Sequence, residues 1–178
     1  MTATFHTVFG IQAAVITPLI SDINGVLTYG DPIRVPGAKN LEITGTYSEK
    51  EIRGDNGPFD TFSNLDKVEG SVAMAGWQPE LFAWVTGSTL IQGEDGSYRI
   101  EYPKTASARF FKLQAVSVTS DGQNTDIIMP KLKITSMPDI GFKEEDFKDV
   151  NLKWKAMPTS GSNGQWFDFG NNAEAITL

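Results

Sequence analysis

Two stretches decide the fold: Lys39–Arg53 (KNLEITGTYSEKEIR) and Asp66–Trp77 (DKVEGSVAMAGW). In the first, Leu41, Ile43 and Tyr47 alternate with Glu42, Thr44, Thr46 and Ser48. In the second, Val68, Val72 and Met74 share one face, and Glu69, Ser71, Ala73 and Ala75 take the other. A period of two belongs to a β-strand with one buried and one wet face. The segment between them, Gly54–Leu65 (GDNGPFDTFSNL), is dense in Gly, Asn, Asp and Pro and reads as a loop. Together they predict a long hairpin with an extended loop.

The rest of the chain keeps this rhythm. Ser97–Tyr102 (SYRIEY) and Ala108–Thr119 (ARFFKLQAVSVT) read as strands, the second closing at Ser120-Asp121-Gly122. Asp126–Met137 (DIIMPKLKITSM) answers it, with Ile128, Leu132 and Ile134 inward and Lys131 and Lys133 outward. Pro130 has no amide hydrogen for a ladder, so this strand lies at an edge or carries a bulge. Asp146–Met157 (DFKDVNLKWKAM) turns Val150, Leu152 and Trp154 inward and Asp149, Asn151, Lys153 and Lys155 outward. One segment differs. In Gln78–Gly87 (QPELFAWVTG), Pro79 suits a first helical position, Glu80 the positive dipole end and Gly87 the C′ position. Leu81, Trp84 and Val85 share one helical face, expected on the outer side of the sheet. The class is mainly β, as two packed antiparallel sheets with one short flanking helix. Residues 1–159 form this domain, including an N-terminal arm. A Gly/Ser-rich joint, Pro158–Gly164, leads into a C-terminal arm, residues 160–178, whose Trp166, Phe167 and Phe169 are apolar enough to dock on another surface.

Composition narrows the chemistry. The 178 residues carry a formal charge of −7, a poor basis for gripping polyanions. The hydrophobic fraction of 40% is ample for a core. Cysteine is absent and His6 is the one histidine. Thiolate chemistry and multi-imidazole zinc sites therefore have no residues to use. A Ser-His-Asp triad would have to recruit His6 beside the terminus. No GxGxxG, P-loop or GxSxG occurs. Arg53-Gly54-Asp55 reads as loop punctuation, and Asp55, Asn56, Asp60 and Asp66 lack calcium-loop spacing. The run Glu144-Glu145-Asp146 reads as solvated charge. Neither an enzyme nor a cofactor is expected, and no run of about 18 apolar residues predicts a membrane span.

The order strand, long polar hairpin segment, returning strand and Pro-led helix runs from Leu41 to Gly87 (LEITGTYSEKEIRGDNGPFDTFSNLDKVEGSVAMAGWQPELFAWVTG). It resembles the bacteriophage tail tube proteins, also called major tail proteins. The late strands and the arm-like C-terminus fit as well. The resemblance implies a structural virion protein that forms rings of six. The rings stack into the hollow tube that conducts genomic DNA from capsid to host. It also implies that the hairpin loop and arms bridge successive rings. Implied partners are further copies of the chain, a tape measure protein, a tail terminator and distal tail or baseplate proteins. Implied locations are the virion tail and, during assembly, the host cytoplasm. Double-stranded DNA would pass without specific binding, which suits an acidic subunit.

Under that resemblance the polar set Glu42, Thr44, Thr46, Ser48, Glu69, Ser71 and Ala73 would line the channel as a small-residue, acidic wall. The loop would carry the inter-ring contact, with Phe59 and Phe62 inside a rim of Lys50, Arg53, Asp55 and Asp60. Trp166, Phe167 and Phe169 would form the arm contact. A second reading is a β-sandwich carbohydrate-binding or adhesion module whose aromatics stack on sugars.

Overall fold

A computed structural model describes residues 8–54, 57–76, 78–119, 124–138, 149–159 and 164–170. In chain order the elements are β1 (Val8–Ile23), β2 (Val26–Tyr29), β3 (Ile33–Arg34), β4 (Ala38–Gly54) and β5 (Gly57–Met74). After these come α1 (Pro79–Thr86), β6 (Thr89–Gln92), β7 (Tyr98–Glu101), β8 (Phe110–Thr119), β9 (Asn124–Ile134), β10 (Val150–Ala156) and β11 (Asp168–Gly170). The chain is mainly β, with one helix and two antiparallel sheets, as expected. The large sheet runs β2-β1-β8-β9-β10-β5-β4, with β11 added to β9 and β3 to β1. The small sheet is the β6–β7 hairpin.

The large sheet curls until the start of β4 approaches β1. The Val35 amide closes the gap by donating to the Ala14 carbonyl at 2.9 Å. Inside the curl lie Ile16, Val68, Val72, Met74, Phe111, Leu113, Met129, Leu132, Leu152 and Trp154, all at most 1% exposed. The alternation expected of β4, β5 and β10 is the one found: Val72 faces Leu41 and Leu152, while Ser71 faces Glu42 and Lys153.

The helix ends where its sequence says, with Gly87 in the left-handed region at φ 71°. The Gly87 and Ser88 amides donate to Trp84 and Ala83 carbonyls. It does not lie on the outer side of the sheet. Leu81 and Val85 belong to the same core as the inward faces of the strands. Trp84 is half-buried, with the Arg109 guanidinium 4.4 Å above its ring.

Two further expectations need correction. On β9, Ile128 is not inward; Met129 is, at 0% exposure. The cause is the bulge that Pro130 foretold. Phe111 pairs with Leu132 and Leu113 with Met129, so one residue of β8 opposes two of β9. That extra residue flips the parity of everything before it. The first forty residues are also no arm from Val8 onward. β1 is an interior strand of the large sheet, and Ala13–Leu19 is buried without a break.

Candidate functional site

No segment Gly54–Leu65 loops out. β4 and β5 stay paired to the Gly54–Gly57 pair, leaving only residues 55–56 as the turn. The hairpin is therefore a two-stranded ribbon in its distal half. Glycine, proline and asparagine composition suggested a loop, yet each is tolerated in an edge ribbon with few neighbours. Beyond Gly45 and Val68 the ribbon leaves the core: Thr46 to Glu51 and Phe62 to Asn64 are all exposed. Tyr47 is 63% and Phe62 53% exposed. Tyr47 faces Leu65 and Lys50 faces Phe62, so the two aromatic rings occupy opposite faces of the ribbon. The backbone of Arg53, Phe59 and Asp60 belongs to it, but their side chains, and all of Asp55, lie outside the described residues. A free edge adds to this exposure, since among the described residues β4 pairs with β5 alone.

The polar face forms one surface. Glu42, Thr44, Thr46 and Ser48 are exposed, and Glu69, Ser71 and Ala73 are half-buried beside them. Glu42 faces Ser71 and Thr44 faces Glu69. The surface continues into β10 and β9, where Lys153 faces Ser71, Lys155 faces Glu69 and Lys133 faces Lys155. Its wall is accordingly of mixed charge rather than acidic. Lys67 and Glu69 pair at 2.7 Å. Lys133 and Lys155 are like charges placed directly opposite, an unfavourable arrangement. Lys133 lies 5.3 Å from the Phe110 ring centre. The outward lysines were legible from alternation; their adjacency to Glu69 depends on sheet order, which was not.

The aromatic segment of the C-terminal stretch docks on its own chain. Trp166 packs against the core. Phe169 pairs with Ile127 of β9. The Phe167 and Phe169 rings stay 38% and 58% exposed. Phe169 also borders an apolar cleft of about 210 Å³ with Gly10, Ile11, Leu41, Ala115 and Ile127.

One exposed feature went unread in the sequence, the β1–β2 hairpin. Its signal was Asn24-Gly25, the commonest dipeptide of a two-residue turn. Both residues take positive φ, 53° and 81°, and Ile23 faces Val26 across them. Ile20, Ile23 and Val26 are 59%, 66% and 67% exposed. The stem is held to the β9 bulge: Lys131 meets Asp22 at 2.5 Å, and the Tyr29 hydroxyl donates to the Pro130 carbonyl at 2.9 Å. Burial, with the Asp22 charge second, pushes the Tyr29 phenol up to about 12.

Among the described residues no three His, Asp or Glu side chains gather as a metal-ligand set. Asp66 is exposed, while Asn56, His6 and Glu144-Glu145-Asp146 lie outside the described residues. No described helix is long and apolar enough to cross a membrane. Comparison with family models gives no match, and comparison with curated proteins gives no significant one.

Proposed function

We propose that this chain is a structural subunit that assembles with its own copies into rings stacked as a hollow tube, the tail tube of a bacteriophage. The observation that carries the reading is the distal half of the β4–β5 hairpin. It is a paired ribbon with exposed aromatics on both faces and no packing partner in its own chain. A two-stranded ribbon alone is marginal in water. Such a ribbon reaching away from the body is suited to lie on another subunit. The free edge of β4 supports the same reading, since an unpaired edge is a template for a neighbouring strand.

In this reading the face of Glu42, Thr44, Thr46, Ser48, Glu69, Ser71 and Ala73 turns to the channel. Short side chains keep it smooth, and Glu42 and Glu69 offset part of the lysine charge from β9 and β10. The carbohydrate-binding reading draws less support, because Trp154 is buried in the core and Trp84 and Trp166 are half-buried. Negative-stain electron microscopy of the purified protein over a range of concentrations tests the proposal. Hollow tubes or stacked rings are expected. A chain that stays monomeric throughout, or that binds glycans as a monomer, overturns it.

A further inference from the structure

The two ends of β1 carry surfaces that fit each other. At one end Gly10 and Ile11 line the apolar cleft of about 210 Å³, walled also by Leu41, Ala115, Ile127 and Phe169. At the other end the Asn24-Gly25 turn presents Ile23 and Val26, each about two-thirds exposed at 66% and 67%. At the rise of an extended strand, Gly10 and Ile23 stand roughly 40 Å apart. We propose that the β1–β2 tip of one copy seats in the cleft of the next, so each chain carries a plug at one end and its socket at the other.

Size, rigidity and charge agree with this. An apolar cavity of about 150 Å³ holds a benzene ring, so the cleft has room for the ends of two branched aliphatic side chains. The plug is preorganised by the Asp22–Lys131 and Tyr29–Pro130 contacts, so little ordering is lost on docking. Of the cleft residues only Lys39 is charged, and it already pairs with Asp149 at 2.6 Å. The contact therefore buries apolar surface without stranding a charge. Plug and socket are different surfaces, so the contact is head-to-tail; it closes as a ring or continues as a chain, according to the rotation per copy. The inference names a contact inside the assembly proposed above and rests on that reading for the closed ring.

Two complementary variants test it by sedimentation velocity. Gly10→Trp fills the socket, and a side chain added at Gly10 meets no atom within 4 Å, so the fold is spared. Ile23→Asp spoils the plug. At a concentration where the wild type assembles, each variant alone should stay monomeric. Their equal mixture should stop at a dimer, since one intact plug then meets one intact socket. Mixed variants that stay monomeric, or a single variant that assembles as the wild type does, would overturn the proposal. So would a Gly10→Trp protein that melts lower while Ile23→Asp changes nothing, which would put a segment of the same chain in the cleft. Dimers from the mixture alongside open wild-type chains would keep this contact and reject the tube. Wild-type tubes that survive both substitutions would keep the tube and reject the contact.

Discussion

The β4–β5 hairpin is two structures on one pair of strands. In its proximal half, Val68, Val72 and Met74 are 0% exposed, and Leu41 and Ile43 pack against the core. In its distal half the ladder continues, yet Tyr47 and Phe62 stand in solvent. The strands alternate in both halves. What differs is whether another element covers the inward face. The curl of the sheet supplies that cover near the body, and nothing among the described residues supplies it farther out. Backbone pairing extends an antiparallel ribbon, but burial of side chains is what stabilises it.

Substitutions that strike the two halves differently sharpen this contrast. The largest effect belongs to Gly70 in the proximal half. An added Cβ there would overlap the Glu42 carbonyl oxygen and the Trp154 ring, both fixed in the body. Gly70→Ala should cost about 3 kcal/mol, read as a lowered denaturation midpoint or loss of soluble protein. Trp84→Ala comes next. A fully buried Trp costs about 3–5 kcal/mol to truncate; this one is half-buried, so about 2 kcal/mol is expected from urea unfolding. If Trp84→Ala is stable but fails to assemble, the ring belongs to a subunit contact instead.

Tyr29→Phe is milder and carries its own pH signature. Losing the bond to the Pro130 carbonyl should cost about 1 kcal/mol at neutral pH. The folded phenol titrates higher than the unfolded one, so folding favours its protonated form. That contribution is complete below pH 10 and fades as pH rises through about 12. The wild type should lose stability over that window more steeply than Tyr29→Phe, and ultraviolet titration should show one late phenol that the variant lacks.

The smallest effect on the single subunit is expected from the distal half. Tyr47→Ser with Phe62→Ser should change stability by no more than about 0.5 kcal/mol, because both rings are already in water. The same pair should abolish tubes in electron micrographs. Replacing residues 50–62 by Asn-Gly, a two-residue turn across the Glu49–Ser63 pair, should do likewise. Tubes that survive either change would leave the ribbon without a role in stacking.

How much of this was legible depended on which faces were covered. Strands with one wet face, β4, β5 and β10, announced themselves by alternation, and the helix by Pro79 and Gly87. Pro130 announced its bulge but not the flip that turns Met129 inward in place of Ile128. β1 escaped because Ala13–Leu19 is buried on both faces, and such a strand shows no alternation. The distal ribbon was misread because Gly54, Asn56, Gly57 and Pro58 mimic a loop while two of them are in fact paired. The polar residues of the proposed channel face were read correctly as outward. Their lysine neighbours could not be placed, because cross-strand adjacency follows the order of strands in the sheet, and no local pattern encodes that order.

Amide hydrogen exchange, measured on dilute subunit and on assembled material, tests the central claim most directly. The account predicts that residues 68–74 are protected in both. Residues 46–54 and 57–65 should exchange fast in the subunit and become protected on assembly, since assembly is what covers them. Equal protection of the two halves in dilute subunit, or a distal half that stays unprotected in assembled material, would contradict it.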